Sequence, residues 1–163
     1  MSAVEVYLGL GSNLGEAAKQ FTATCRALAP EVRVTARSSL YRSRPYGFAD
    51  QPDFTNAVVR ATTTLAPQAL LAKTEAVEEA LGKAPVRRNG PRLIDLDVLL
   101  YGDLEVEEEG LTIPHPGVIQ RDFVLVPLLE LNPDLRHPRT QQRLQELSTA
   151  LKERYITGAA IPW

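Results

Sequence analysis

The chain has one cysteine among its 163 residues, so no internal disulfide is open to it. Cys25 falls on an apolar stripe with Leu14, Phe21 and Leu28, which reads as a packed thiol rather than a nucleophile, and a lone thiol suits a reducing compartment. Long hydrophobic runs are also missing. Residues 98–101 and 123–129 fall well short of the roughly 20 apolar residues that a membrane-spanning helix needs. Residues 1–6 carry neither the basic region nor the apolar stretch of a secretion signal. These absences together point to the cytoplasm and away from a membrane. Net positive charge is absent too. Eighteen Lys and Arg against 20 Asp and Glu give −2, which argues against electrostatic binding of nucleic acid by the molecule as a whole.

What is present is an ordinary globular composition, 44% apolar and 23% charged, without repeats, low-complexity segments or linkers. One domain over residues 1–163 is expected, working as a monomer. Charge is uneven along it. Residues 83–92 hold Lys83, Arg87, Arg88 and Arg92 with no acid, whereas residues 105–109 hold Glu105, Glu107, Glu108 and Glu109. A basic loop inside an acidic protein suits a small polyanion.

Val4, Val6, Leu8 and Leu10 alternate with Glu5, Tyr7 and Gly9, which predicts a strand. Asn13 with Glu16 three residues on predicts a capping box and a helix to about Ala29. A strand over residues 32–42, a Pro/Gly/Asp-rich loop over 43–53 and a strand over 54–63 follow. Pro67 opens a second helix with Leu70, Thr74, Val77 and Leu81 on its inner face, and Gly82 ends it. A strand over 93–101 comes after the basic loop. The Glu-rich stretch then predicts an exposed edge hairpin, and helices are expected over 118–131 and 141–154, the last with Leu144, Leu147 and Leu151 on one stripe. The order β-α-β-β-α-β with C-terminal additions is that of an α+β, ferredoxin-like sandwich with a mostly antiparallel sheet.

Asp95 and Asp97 lie two apart on a strand, so they share a face, while Ile94, Leu96 and Val98 point to the other. Their Cα atoms are roughly 6.6 Å apart by strand rise. With the carboxylates about 5 Å apart, repulsion is about 3 kcal/mol at an effective dielectric of 20. A divalent cation would convert that cost into binding, and oxygen donors without a His or Cys cluster favour Mg²⁺ over Zn²⁺. Taken alone, the pair serves equally well as two solvated acids on a polar strand face. Arg92 and the basic loop before it tilt the reading toward a nucleoside triphosphate, with Arg88 and Arg92 forking onto phosphate and Lys83 acting as a point charge.

The stretch Arg88-Asn89-Gly90-Pro91-Arg92-Leu93-Ile94-Asp95-Leu96-Asp97-Val98-Leu99 resembles the signature of the 6-hydroxymethyl-7,8-dihydropterin pyrophosphokinase family. So do Gly11-Ser12-Asn13-Leu14-Gly15, Ser38-Ser39-Leu40-Tyr41-Arg42-Ser43, Gln51-Pro52-Asp53-Phe54-Thr55-Asn56-Ala57, Leu111-Thr112-Ile113-Pro114-His115-Pro116 and Arg121-Asp122-Phe123-Val124-Leu125-Val126-Pro127-Leu128, in order over nearly the whole chain. The resemblance implies transfer of the β,γ-pyrophosphoryl group of ATP to the pterin hydroxymethyl group, with release of AMP. It implies two Mg²⁺ ions on Asp95 and Asp97, and a catalytic set of Lys83, Arg92, Asp95 and Asp97. Lys83, Arg88 and Arg92 would clamp the phosphates, with Glu78, Thr112, His115 and Arg121 on the nucleotide side. For the pterin it implies Asn56 at the amide-like edge as both donor and acceptor, Phe54 and Phe123 around the ring, and backbone contacts from Ser43, Tyr46 and Gly47. Gly11-Ser12-Asn13 reads as strand exit and helix cap, with no direct catalytic role.

The chain departs from that family where Asn89 replaces a frequent aromatic, where Lys83 is followed by Ala84 and Pro85, and at Gly110 and Pro116. The expectation is the same reaction with a less tightly gated nucleotide site. The rival readings are another Mg²⁺-dependent phosphoryl or nucleotidyl transferase, which would not need Asn56 between Phe54 and Phe123, and a non-catalytic ferredoxin-like module that binds RNA.

Overall fold

The computed structural model describes residues 2–47, 49–82 and 93–163. The basic loop, with Lys83, Arg87, Arg88, Asn89 and Arg92, and the reading of its gating lie outside the described residues. Strand β1 (Val4–Ser12) is followed by helix α1 (Ala17–Leu28), strands β2 (Val32–Arg37), β3 (Tyr41–Ser43) and β4 (Phe54–Thr63), helix α2 (Pro67–Ala80) and strand β5 (Asp95–Tyr101). A hairpin of β6 (Val106–Glu108) and β7 (Leu111–Ile113), a short 3₁₀ helix (Pro116–Ile119) and helices α3 (Asp122–Leu131) and α4 (Leu144–Ala150) complete the order. The main sheet runs β2-β4-β1-β5, antiparallel throughout, and β3 continues past β2 along the same edge of β4. This is the ferredoxin-like α+β arrangement expected from the element order.

Alternation in β1 divides the core in two. Val6, Leu8 and Leu10 pack with Phe21 and Leu28 of α1, Leu70 and Val77 of α2, and Leu96 and Val98 of β5. Each such side chain, taken out of water, stabilises the fold by roughly 1.5–3 kcal/mol. Tyr7, Val58, Leu99 and Leu100 face the opposite side, where Leu125 and Leu128 of α3 and Leu144 of α4 cover them. A register shift opposite Tyr7 and Leu8 makes a bulge in the β1–β5 pair, so Leu99 and Leu100 both join this second layer. Among the described residues, no helix is long and apolar enough to cross a membrane.

Several local expectations are corrected. Asn13 does not cap α1: its amide donates to Gln51 Oε1 at 2.8 Å and to the Pro52 carbonyl at 3.1 Å, and Glu16 is the N-cap without a side-chain bond. A partner 38 residues away has outcompeted the local one. The strand expected over 32–42 is broken at Ser38. Its hydroxyl accepts from the Val58 N–H at 2.9 Å while its own N–H donates to the Val58 carbonyl at 2.9 Å, so a side chain replaces one ladder acceptor and the backbone turns away. The helix expected over 118–131 is divided, because Arg121 is extended (φ −126°, ψ 123°) and separates the 3₁₀ helix from α3. The last helix is only Leu144–Ala150, although Leu147 and Leu151 still pack on the same cluster as Leu144. The Glu-rich hairpin forms and is exposed, with Gly110 at φ 81° in its turn, but as a separate two-stranded sheet.

The double bond at Ser38 predicts a stability cost on its removal. Ser38→Ala leaves the buried Val58 N–H without an acceptor, and urea unfolding is expected to show a loss of about 1–3 kcal/mol. A midpoint equal to wild type would contradict the role given to the hydroxyl.

Candidate active site

Helices α3 and α4 cover only part of the second sheet face. At the uncovered end the register places three residues in each of two rows across the strands. Asn56 of β4, Gly11 of β1 and Asp95 of β5 form one row; Val58, Gly9 and Asp97 form the next. The central strand thus contributes no side chain at either position. A Cβ on Gly11 would stand 3.6 Å from Asn56 Oδ1, 3.8 Å from Phe54 Cδ2 and 3.9 Å from Asp95 Cβ. That trough, floored by two glycines and walled by Asn56 on one side and the two carboxylates on the other, is the base of a cleft. Ser43, Arg44, Tyr46, Phe54, Arg121 and Phe123 complete its lining. The Asn56 and Asp95 backbones lie two strand spacings apart, roughly 9.6 Å.

Asn56 is buried and its orientation is fixed. Its amide nitrogen donates to Ser43 Oγ at 2.8 Å and to the Tyr41 carbonyl at 3.2 Å. Here the donor side is bound internally, and Oδ1 is the atom turned over Gly11. Ser43 contributes its side chain to holding Asn56, not only its backbone. Phe123 is at the second position of α3, and Arg121 just precedes that helix. The Arg121 guanidinium stands 4.1 Å from the Tyr46 ring centroid and 6.0 Å from that of Phe123, and its Nε is buried without a hydrogen-bond partner among the described residues. Gly47, at φ 85°, is in the exposed loop beyond Tyr46 and does not line the cleft.

Thr112 and His115 line a second cleft, between the acidic hairpin and His137 and Arg139. His115 lies nearest the first cleft: its Nε2 stands 3.9 Å from Asp97 Oδ2, too far for a hydrogen bond. Its Nδ1 accepts from the Gly117 N–H at 2.9 Å, which places the proton of the neutral ring on Nε2. Burial first, and then the Arg121 charge, hold the imidazole below the usual histidine range, with Asp95 opposing. Glu78 is buried on α2 and turned toward β5, where its Oε2 accepts from the Leu96 N–H at 2.8 Å. That bond fixes the backbone between the two aspartates along the outer edge of β5. Lys83, Arg88 and Arg92 lie outside the described residues.

Asp95 and Asp97 supply hard oxygen donors on one face, and no group of three or more His, Cys, Asp or Glu among the described residues is placed to form a closed metal cage. Such a set fits Mg²⁺, which takes one or two carboxylates and completes its shell with water and substrate phosphates. Sequence reasoning missed Gly9 and Gly11 as the floor, although glycine inside a strand signals close approach of something else. It also missed Arg44 and the aromatic contact that Tyr155 makes with Phe123 and Tyr46.

Residues 7–133 match the family described as 7,8-dihydro-6-hydroxymethylpterin-pyrophosphokinase (HPPK). The chain is 49% identical over 131 residues to the 2-amino-4-hydroxy-6-hydroxymethyldihydropteridine pyrophosphokinase of Methylorubrum extorquens, covering 79% of this chain and 83% of that one. It is 46% identical over 135 residues to the enzyme of the same name from Pseudomonas aeruginosa, covering 82% and 83%. It also matches the folic acid synthesis protein fol1 of Schizosaccharomyces pombe, 44% identical over 142 residues, but there it spans only 19% of the relative. Among solved structures, wild-type Plasmodium falciparum HPPK-DHPS with pterin and p-hydroxybenzoate has a TM-score of 0.71 at 15% identity, over 91% of this chain and 42% of that one. At that identity the likeness speaks for the fold. With a fold, a cleft and a sequence match over most of its length that agree, the chain belongs to the 7,8-dihydro-6-hydroxymethylpterin-pyrophosphokinase family.

Proposed function

We propose that this chain transfers the pyrophosphoryl group of ATP to the hydroxymethyl oxygen of 6-hydroxymethyl-7,8-dihydropterin, releasing AMP, as a step of folate synthesis. The observation that carries this reading is the pair of cross-strand rows. They put a hydrogen-bonding wall at Asn56 and a carboxylate wall at Asp95 and Asp97 on opposite sides of one glycine floor. A flat bicyclic heterocycle lying on Gly9 and Gly11 can meet Asn56 Oδ1 with a ring N–H and extend its hydroxymethyl arm toward the aspartates. Phe54 and Phe123 bound the ring plane, and offset stacking adds roughly 0.5–1.5 kcal/mol beyond burial.

Asp95 and Asp97 would hold Mg²⁺, two ions in our reading, whose role is to neutralise charge on the transferring group. The protein's own residues do the rest. Glu78 holds the strand between the two carboxylates. His115 and Thr112 extend the site from Asp97 into the second cleft, which we assign to the nucleotide. Arg121 supplies positive charge on the cleft wall, and Lys83, Arg88 and Arg92 are the proposed phosphate clamp. Holding both substrates in one geometry converts an encounter of two molecules into a local displacement, the largest contribution a rigid sheet can make. We read the chain as one domain over residues 1–163, acting as a monomer in the cytoplasm.

The test is AMP release from ATP, Mg²⁺ and 6-hydroxymethyl-7,8-dihydropterin. Asp97→Ala is expected to lower turnover by roughly a thousandfold or more while circular dichroism stays native, as losses of transition-state charge stabilisation do. Turnover within tenfold of wild type would sink the assignment of the carboxylates. Gly11→Ala is expected to fold, because its Cβ meets only ordinary van der Waals contacts, yet to raise KM for the pterin several-fold by filling the floor. An unchanged pterin KM in that variant would place the acceptor elsewhere.

His115 gives a pH prediction. Its folded pKa is lowered from the ordinary 6.5, so the unfolded chain binds the proton more readily. The stability it contributes is fully present above pH 6.5 and declines as pH falls from there through the folded value. NMR titration of the metal-free protein should give a His115 midpoint below 6.5; one at or above 6.5 would contradict the half-buried, Nδ1-accepting imidazole.

A further inference from the structure

The segment after α4 returns to the cleft and is fastened there from two sides. Asp122, 1% exposed in the first turn of α3, accepts from the Tyr155 N–H at 3.0 Å on Oδ1 and 2.9 Å on Oδ2, and its Oδ2 accepts from the Ile156 N–H at 3.0 Å. From the β3 side, the Arg44 N–H donates to the Tyr155 carbonyl at 2.9 Å, and the Thr157 N–H donates to the Arg42 carbonyl at 2.8 Å. The Tyr155 backbone is thus clamped between the start of α3 and the exit of β3, the two places from which Phe123 and Tyr46 emerge.

Its ring bears on both of them. Tyr155 meets Phe123 edge to face, with centroids 5.8 Å apart and planes at 82°, and lies 5.5 Å from Tyr46 at 60°. The Arg44 guanidinium covers the Tyr155 ring at 4.0 Å. Phe123, Tyr46 and Arg44 line the cleft, whereas Tyr155 stands behind them. The Tyr155 hydroxyl points away, to the exposed Glu153 at 2.9 Å. Position 155 also falls beyond residues 7–133, the extent of the family match, so nothing in that match assigns it a task.

We infer that Tyr155 is a positioning residue for the acceptor: its ring fixes the orientation of Phe123 and Tyr46 and thereby sets affinity for the flat heterocycle, not for ATP. This rests on the reading that the pterin occupies the Asn56–Phe123 cleft. A ring behind a stacking ring removes the rotamer freedom that the front ring would otherwise lose on binding, and preorganisation of that kind appears as affinity.

Steady-state kinetics on Tyr155→Ala, Tyr155→Phe and Phe123→Ala, with both substrates varied, test it. Tyr155→Ala should raise KM for the pterin about tenfold while kcat and KM for ATP stay within about twofold. Tyr155→Phe should restore pterin KM to within about twofold of wild type, because the ring is retained and only the outward hydroxyl is lost. Should Tyr155→Ala not fold by circular dichroism, Tyr155→Leu, which keeps bulk but no ring, is measured against the same expectation. If Phe123→Ala raises pterin KM and the folded Tyr155 variant does not, the inference is overturned while the function stands. If Phe123→Ala also leaves pterin KM unchanged, the acceptor does not stack in this cleft, and the inference falls with that reading. A loss shared equally by kcat and both KM values would mark a general structural defect and would likewise overturn it.

Discussion

The site depends on two side chains that the central strand does not have. In this five-stranded antiparallel sheet β1 has neighbours on both sides, and a side chain at position 11 would stand between Asn56 and Asp95, one at position 9 between Val58 and Asp97. Glycine in a strand interior sacrifices packing and conformational entropy, about 0.5–1 kcal/mol for each residue relative to alanine. The sheet accepts that loss at the one end of its second face where α3 and α4 leave it uncovered. Burial explains the rest of the fold; here burial has been withheld.

Around that trough the polar groups are arranged by bonds that run away from it. The Asn56 amide is tied back to Ser43 and Tyr41, Glu78 to the backbone of β5, and the His115 Nδ1 to Gly117. The Asn56 and His115 bonds use the side of the group that faces the protein and fix the side that faces a cleft, while the Glu78 bond fixes the strand that carries the carboxylates. A site of this kind is preorganised by the scaffold behind it, which is where electrostatic catalysis has its reorganisation cost removed in advance.

Much of this was legible in the order of residues. The alternation in β1, the shared face of Asp95 and Asp97 and the inner stripe of α2 follow from periods of 2 and 3.6, and the exposed acidic hairpin from a run of glutamates; all are local properties. What could not be read locally was settled by distant partners. Asn13 looks like a cap but bonds to Gln51; residues 32–42 look like one strand but Ser38 bonds to Val58 from two sides; residues 118–131 look like one helix but Arg121 is extended. The orientation of the Asn56 amide is of the same type, since its donors are taken by residues 13 and 15 positions earlier. Gly9 and Gly11 were visible as glycines, but their meaning appears only once β4 and β5 are laid on either side.

Gly82, which ends α2, and Leu93, which precedes β5, stand next to each other: a Cβ on Gly82 would be 3.3 Å from Leu93 Cδ1. The end of α2 and the start of β5 are therefore held against each other, a few residues from the Glu78–Leu96 bond. These ties brace β5 on the edge away from β1, so the carboxylate strand is held from both sides. A strand braced on both edges can carry two like charges on one face without yielding to their repulsion.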